Sequence, residues 1–359
     1  MNNKRILLLS AYDAKSHRYW HQQLQQHFIQ HSWHILSLKD RYFAWRMAGN
    51  ALSFKASFHN VLIGAYDLII ATSMTDLSTL YALYPNLTNI PSILYFHENQ
   101  FAYPANHNQK GLLEIQLKTI YAAMVADQLV FNSDYNQKTF LQGVSQFCLK
   151  MPDGLPAHLC HELKAKSNTL AVPIADDCQP LSNKTKPNQN LVVVWNHRWE
   201  HDKGPNTLLE VLRLCTNYPH IKFHIMGQQF RSKPPAMQEI IEKHAAQCLS
   251  IGFVESRDQY INVLQHADVV LSTALHDFQG IAMLEAVACG CTPIAPNRLV
   301  YPELYPPENL FPSAPEQPKH EAQSIVALLM NPQKLRQNPI HCQWQQLQPD
   351  YTQLLEKHG

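Results

Sequence analysis

Residues 267–306 read ADVVLSTALHDFQGIAMLEAVACGCTPIAPNRLVYPELYP, and this stretch decides the fold. Val269-Val270-Leu271 is a short apolar run of the kind that forms a buried strand, and Thr273 to Gly280 is a polar turn. Ile281 to Cys289 carries the good helix formers Ala, Met, Leu and Glu, with Gly290 where a helix end takes a left-handed residue. Thr292 to Ala295 supplies a second apolar strand, so the whole is a strand, loop, helix, strand unit. Its chemistry lies in two carboxylates, Asp277 in the loop and Glu285 in the helix. Backbone N–H groups near Gln279, Gly280 and Ile281 are expected to be the unpaired donors of the helix start, which prefer an anion such as a phosphate. Carboxylates on either side of that anion repel it, and are better suited to accept hydrogen bonds from sugar hydroxyls.

A second stretch points the same way. Val192 to Trp195 reads as a buried strand, followed by the loop Asn196-His197-Arg198-Trp199-Glu200-His201-Asp202-Lys203-Gly204-Pro205 and an amphipathic helix from about Asn206 to Leu214. Arg198 and Lys203, five residues apart after a strand, suit a diphosphate, which needs fixed cations as a leaving group gains charge. A solvated charged turn is the plainer alternative.

Outward from these loops, 359 residues suffice for two domains of ordinary size. No apolar run approaches the ~20 residues of a membrane span, and Met1-Asn2-Asn3-Lys4-Arg5 leads directly into the apolar Ile6 to Leu9. That is a strand entry and not a signal peptide, and the expected location is cytoplasmic. Eight cysteines are dispersed without a C-x-x-C pair, so reduced thiols, no structural metal and no cofactor are expected. Within residues 1–60, eight basic residues face only Asp13 and Asp40, a net +6 that a polyanionic partner would exploit, although a solvated face is the commoner origin of such a bias.

In chain order, Arg5–Ser10 is the first strand, Ala11–His17 a loop and about Arg18–Gln30 a helix. Trp33–Leu38 and Tyr66–Ala71 are buried strands, with Arg41–Phe54 an aromatic and basic segment between them. Leu77–Tyr84 reads as helix, Ser92–Phe96 as strand, 110–126 as an amphipathic helix and Gln128–Phe131 as strand. Lys222–Met226 continues the second half, Glu321–Leu329 is a late helix, and Cys342–His358 is a terminal one. This alternation implies parallel sheets covered by helices, with ligands at the strand carboxyl ends. The polar ADDCQPLSNKTKPNQN, residues 175–190, is the expected linker between an N-terminal domain, 1–174, and a C-terminal domain, 191–340.

The pair Asp277 and Glu285 is similar to the acidic-x7-acidic motif of retaining glycosyltransferases of the two-domain GT-B fold, and Arg198 and Lys203 match the R-x4-K pair of that family. The segments AYDAKSHRYW, RYFAWRMAGNALSF, ILYFHENQFAYP, ADQLVFNSDYN and NHRWEHDKGP resemble the tRNA-queuosine mannosyltransferase family within it, from about residue 5 to residue 306. The resemblance implies an α/β GT-B fold, two Rossmann-like domains facing across a cleft, with residues 341–359 a helix that returns to the first domain. It implies front-face, retaining transfer of mannose from GDP-mannose to the cyclopentene-diol of queuosine in a tRNA anticodon, that of tRNA-Asp, with a nucleotide-sugar and tRNA as partners and no membrane. Arg198, Lys203 and His97 would be catalytic, and Asp277, Phe278, Gln279, Gly280, Ile281 and Glu285 would hold the donor. Ser16, His17, Arg46, Glu98 and Asn99 would meet the acceptor, and exposed aromatics such as Tyr42, Phe43 or Trp45 could stack on splayed bases. The chain departs from the family at Asp277, shorter than the usual Glu, and at Ala14-Lys15, where many members carry a Gly-Gly pair. Two alternatives stay open: a retaining glycosyltransferase with a lipid or glycan acceptor, and a sugar-nucleotide-binding or tRNA-binding protein without catalysis.

Overall fold

The structure, a computed structural model, describes residues 3–103, 111–151, 158–182, 190–229, 233–337, 340 and 342–357. Residues 183–189 of the expected linker, Lys110 of one expected helix and His358 of another lie outside them. The chain divides into two compact units, one of residues 1–172 with 347–359, the other of residues 173–346.

In the first unit the strands are β1 (Arg5–Asp13), β2 (Ser32–Lys39), β3 (Leu68–Thr72), β4 (Ser92–Phe96), β5 (Gln128–Phe131) and β6 (Ser167–Thr169). The helices are α1 (Lys15–His27), α2 (Phe43–Leu62), α3 (Leu77–Leu83), α4 (Leu112–Val125), α5 (Asp134–Lys150) and α6 (Leu159–Ala165). Among the described residues the sheet order is β2-β1-β3-β4-β5-β6, every pair parallel. Ile6 to Leu9, Leu68 to Ala71 and Ile93 to Phe96 are continuous buried runs because helices cover both faces of a parallel sheet, leaving no polar side to alternate with.

The second unit holds β7 (Leu191–Asn196), β8 (Ile221–Met226), β9 (Cys248–Gly252), β10 (Val269–Leu271), β11 (Thr292–Pro296) and β12 (Leu310–Phe311). Its helices are α7 (Pro205–Cys215), α8 (Pro235–Lys243), α9 (Arg257–His266), α10 (Ile281–Ala288), α11 (Tyr301–Leu304) and α12 (Pro318–Leu329). The order is β12-β11-β10-β7-β8-β9, again all parallel. Read from the other edge this is 3-2-1-4-5-6 in order of appearance, the doubly wound Rossmann arrangement. The expected strand, loop, helix, strand unit is β10, α10 and β11. Gly290 ends α10 at φ +100°, its N–H on Val287 O and that of Cys291 on Ala286 O, the paired closure of a Schellman motif.

A last helix, α13 (Trp344–Glu356), begins among residues of the second unit and ends among those of the first. Within the first unit, Trp20 Nε1 donates to Tyr351 Oη at 3.0 Å, Tyr351 Oη to Ala171 O at 3.0 Å, and Lys4 Nζ to Leu355 O at 2.7 Å.

Several elements differ from the sequence expectation. Residues 11–17 are not a loop: β1 runs to Asp13 and α1 begins at Lys15, because Arg18 bonds both the carboxylate and the carbonyl of Asp13 while His21 takes the other carboxylate oxygen. The 41–54 segment opens a 20-residue helix, α2, whose N-cap is Tyr42 in the left-handed region, so no Ser, Thr, Asp or Asn announces it. The helix α5 follows Ser133, whose Oγ accepts from the N–H of Asn136 at 3.0 Å.

Candidate active site

In the second unit the chain builds β7, β8 and β9 outward in one direction, then crosses back to place β10 on the other side of β7. The reversal between β7 and β10 is the topological switch point of the sheet, and the ligand crevice of such sheets lies outside the carboxyl ends of the strands there. The loop after β7 carries Arg198 and Lys203, the loop after β10 Asp277, and α10 brings Glu285.

The two loops are stitched together. Backbone N–H groups of Leu275 and His276 donate to Asp202 O at 2.8 and 3.1 Å, Thr273 Oγ1 donates to Lys203 O at 2.8 Å, and Lys203 Nζ donates to His276 O at 2.7 Å. Gly204 makes the approach possible: at φ +65°, a Cβ there would lie 2.0 Å from Thr273 O. Gly227, at φ +143°, does the same at the end of β8, where a Cβ would lie 1.8 Å from His197 O.

The two cations differ. Lys203 has a side chain only 10% exposed and pairs with Asp202 at 3.2 Å and Asp277 at 3.8 Å. Arg198 is 51% exposed and pairs with Glu200 at 2.9 Å. Asp277 accepts from Tyr301 Oη at 3.1 Å, and Tyr301 also meets Ser272 Oγ at 2.7 Å. Asp277 Oδ1 accepts from the N–H of Gly280 at 3.1 Å, so that N–H is not the free donor expected from sequence. A short carboxylate three residues ahead folds back on the backbone, as Asp does at turns and caps. Burial works to raise the Asp277 carboxyl, but the charge of Lys203 with the Tyr301 and Gly280 hydrogen bonds outweighs it and holds the group below the usual carboxylate value. Phe278 sets its ring edge-on to His276 with centroids 4.7 Å apart, and Gln279 is buried while Ile281 is half-buried in the first turn of α10.

Glu285 is clamped on both oxygens. Arg257 Nη1 donates to Oε1 at 2.7 Å and Tyr260 Oη to Oε2 at 2.8 Å, while Arg257 also forms a two-pronged pair with Asp177 at 2.9 and 2.8 Å. Asn196 Nδ2 ties Tyr260 Oη to Ala282 O at 3.0 and 2.8 Å. His197 and His276 are buried, and burial together with the Lys203 charge pushes each down to about 4, so both are neutral at physiological pH. Sequence reasoning missed Arg257, Tyr260 and Tyr301, whose roles rest on contacts 24 to 28 residues away along the chain.

In the first unit, His97 directly follows β4 and stacks on His17 at a centroid distance of 4.1 Å, with Trp20 at 4.9 Å and Tyr95 at 4.8 Å around it. Burial, aided by His17 and His21, drives the His97 imidazole well below its ordinary pKa, and burial pushes His17 down to about 4 against the pull of Asp13. His97 Nε2 is buried without a hydrogen-bond partner among the described residues. A neutral imidazole with one unsatisfied nitrogen is a ready partner for a hydroxyl. Asn132 Nδ2 fixes the backbone by donating to His97 O at 2.8 Å.

The expected acceptor residues separate into two groups. Ser16 is exposed in the first turn of α1, Glu98 is half-buried with its carbonyl accepting from Ser73 Oγ at 3.0 Å, and Arg46 lies half-buried on α2. Asn99 is tied into the turn after β4: its Nδ2 donates to Asn136 O and Oδ1 and to Thr139 Oγ1, and its Oδ1 accepts from the N–H groups of Phe101 and Ala102. Its amide is consumed in shaping the turn after β4. His17 likewise packs inward, against His97.

Residues 5–174 match the family described as tRNA-queuosine alpha-mannosyltransferase N-terminal, and residues 180–341 match glycosyl transferases group 1. A Drosophila melanogaster tRNA-queuosine alpha-mannosyltransferase is 33% identical over 315 residues, which cover 85% of this chain and 83% of that protein. Two solved structures share the fold: Anabaena HepE in complex with UDP, with a TM-score of 0.65, 15% identity and coverage of 98% and 99% of the two chains, and a Thermosynechococcus elongatus sucrose-phosphate synthase, at 0.71, 13%, and 99% of each. With two doubly wound α/β units, a GT-B likeness over nearly its whole length and that degree of identity, the chain is a glycosyltransferase and belongs to the tRNA-queuosine alpha-mannosyltransferase family.

Proposed function

We propose that this chain transfers mannose from GDP-mannose to the cyclopentene-diol of queuosine in tRNA, with retention at the anomeric carbon, in the cytoplasm. The relationship over 85% of the chain to a protein named tRNA-queuosine alpha-mannosyltransferase carries the reading.

In this reading the diphosphate of the donor lies at the end of β7 and the start of α10. Arg198 and Lys203 meet its growing charge as the bond from the anomeric carbon to the phosphate oxygen breaks. The acceptor hydroxyl attacks the same face, its oxygen bonds to the anomeric carbon, and its proton passes to the departing phosphate oxygen. Two opposed carboxylates of the glycosidase kind are then unnecessary. Glu285, fixed by Arg257 and Tyr260, accepts from the ribose diol. Asp277, fixed by Tyr301, accepts from a hexose hydroxyl. The second-unit site sets the neutral His197 and His276 beside fixed carboxylates, which suits polyhydroxyl recognition.

The test incubates the full chain and queuosine-containing tRNA with GDP-mannose, UDP-galactose and UDP-glucose in separate reactions, digests the RNA and weighs the nucleosides. A hexose mass added to queuosine with GDP-mannose alone is the expected result. Addition from a UDP-sugar alone would reassign the donor, and addition from none would reject the acceptor.

A further inference from the structure

The first turn of α2 presents an aromatic surface that the reaction described above does not use. Tyr42 is 71% and Trp45 51% exposed, with Phe43 beside them set edge-on to Tyr12 at 5.6 Å. An exposed tryptophan is ordinarily loose, but this one is held. Its six-membered ring lies against Gly49, where a Cβ would sit 2.8, 2.9 and 3.0 Å from Cη2, Cζ3 and Cζ2. Its Nε1 donates to Ser53 Oγ at 3.2 Å, and Ser53 Oγ also accepts from Arg46 Nη1 at 3.3 Å and donates to Gly49 O at 3.2 Å. Arg46 Nε in turn donates to Lys39 O at 3.2 Å. The side chains of Trp45 and Arg46 are thus fixed to one serine.

Two departures from regular helix accompany this. Gly49 sits at φ −123° and ψ 19° inside α2, and Tyr42 adopts φ 56° and ψ 53° at its N-cap, a conformation that disfavours a residue with a Cβ. Arg41 lies over the Tyr42 ring at 5.4 Å. Exposed flat rings, interleaved with Lys39, Arg41 and Arg46 against the single carboxylate of Asp40, complement a ligand with flat faces and an anionic backbone.

We propose that the first turn of α2 is a stacking platform for unpaired bases of an RNA loop, with the indole of Trp45 as its fixed floor and Arg41 and Arg46 for the flanking phosphates. This rests on the reading that the acceptor is a tRNA, and adds where the loop is gripped. Stacking requires splayed bases, so a continuous duplex would not use the platform.

The test measures fluorescence anisotropy of the full chain with a labelled anticodon stem-loop and with a blunt duplex of the same stem, at one fixed salt concentration. Trp45→Ala is expected to weaken stem-loop binding about ten-fold or more, the range of one lost base stack, and to leave the duplex unchanged. Trp45→Phe is expected to restore most of the affinity, and Gly49→Ala, which displaces the indole without removing it, to weaken stem-loop binding alone. Circular dichroism melting of each variant separates these effects from unfolding. Unchanged stem-loop binding by Trp45→Ala, equal losses on loop and duplex, or a wild type that binds no RNA would overturn the platform, and the patch would then belong to another kind of partner such as a protein. Hexose transfer is scored in parallel. A wild type that binds loops through Trp45 yet modifies no queuosine sinks the proposed reaction and leaves the platform standing, and the converse sinks the platform alone.

Discussion

Lys203→Met separates the roles of the two cations expected to act on a diphosphate. Lys203 donates to His276 O and neutralises Asp202 and Asp277 from a side chain with little solvent access. Methionine fills similar space, removes the charge and leaves two carboxylates without their cation. Breaking a buried pair by deleting one partner costs about 3–5 kcal/mol, and because Asp202 and Asp277 keep some exposure the lower end applies, about 3 kcal/mol at neutral pH. Arg198 pairs with Glu200 in solvent, so Arg198→Ala should cost within about 0.5 kcal/mol.

Both variants should lose on the order of 10²–10³ in turnover, as on removal of one donor to a developing oxyanion. Urea unfolding followed by circular dichroism, beside a single-turnover transfer assay, distinguishes them. The pH dependence adds a second check. The folded Asp277 pKa is depressed, so the stabilisation it draws from Lys203 is present above the unfolded carboxylate value near 3.8 and is lost as pH falls through the folded value. The stability gap between wild type and Lys203→Met should therefore narrow below about pH 4. Equal urea midpoints for wild type and Lys203→Met, or as large a stability loss in Arg198→Ala, would refute the division into a built-in and a surface cation.

Further outcomes follow from the same geometry. Gly227→Ala should destabilise the second unit by more than about 3 kcal/mol, since the new Cβ meets His197 O at 1.8 Å in a backbone region closed to side chains, and a near-normal melting temperature would contradict the contact. His17, His197 and His276 fold with pKa values of about 4 and His97 well below its ordinary value, while unfolded histidine titrates near 6.5. The unfolded chain binds these protons first, so stability should be full above about pH 6.5 and decline steadily toward pH 4, with net proton uptake on unfolding at pH 5. Calorimetric melting in buffers of different ionisation enthalpy reads that uptake, and its absence would show the histidines are not buried neutral. Arg257→Ala should raise KM for the nucleotide-sugar about ten-fold or more with less change in kcat, and should erase discrimination between ribo- and deoxyribonucleoside diphosphates if Glu285 is fixed for the ribose by Arg257.

The sequence carried the fold because parallel strands buried on both faces leave uninterrupted apolar runs, as at Ile6–Leu9 and Val192–Trp195. Asp277 and Glu285 were legible for a related reason: strand, turn and helix signals around them fall within twenty residues. Their partners were not, since Tyr301 and Arg257 reach the carboxylates from elements with no local pattern to mark them. The start of α1 was misplaced because Asp13 acts through the side chains of Arg18 and His21, a cap written in tertiary contacts. Helix α2 escaped notice because its opening sequence is aromatic and its N-cap is a strained tyrosine. Asn99, which the resemblance implies meets the acceptor, spends its amide on closing its own turn, through contacts with Asn136 and Thr139 that no local pattern marks.

The charges around the second-unit site decide what kind of anion it accepts. Among the described ion pairs of these loops and α10, Arg198, Lys203 and Arg257 pair with five carboxylates, Asp177, Glu200, Asp202, Asp277 and Glu285, while His197 and His276 are neutral. A bare pyrophosphate entering there must displace existing ion pairs and then face the released carboxylates at close range. On the proposed reading, ribose hydroxyls of a nucleoside diphosphate would donate to Glu285 and hexose hydroxyls of a nucleotide-sugar to Asp277, so each carboxylate would gain a donor in place of the cation it shares. Affinity should thus rise from inorganic pyrophosphate to GDP to GDP-mannose, with the first step at least about ten-fold. Isothermal titration at one ionic strength measures the series. Pyrophosphate binding as tightly as GDP would mean that the cations, and not the carboxylates, set the selectivity of the crevice.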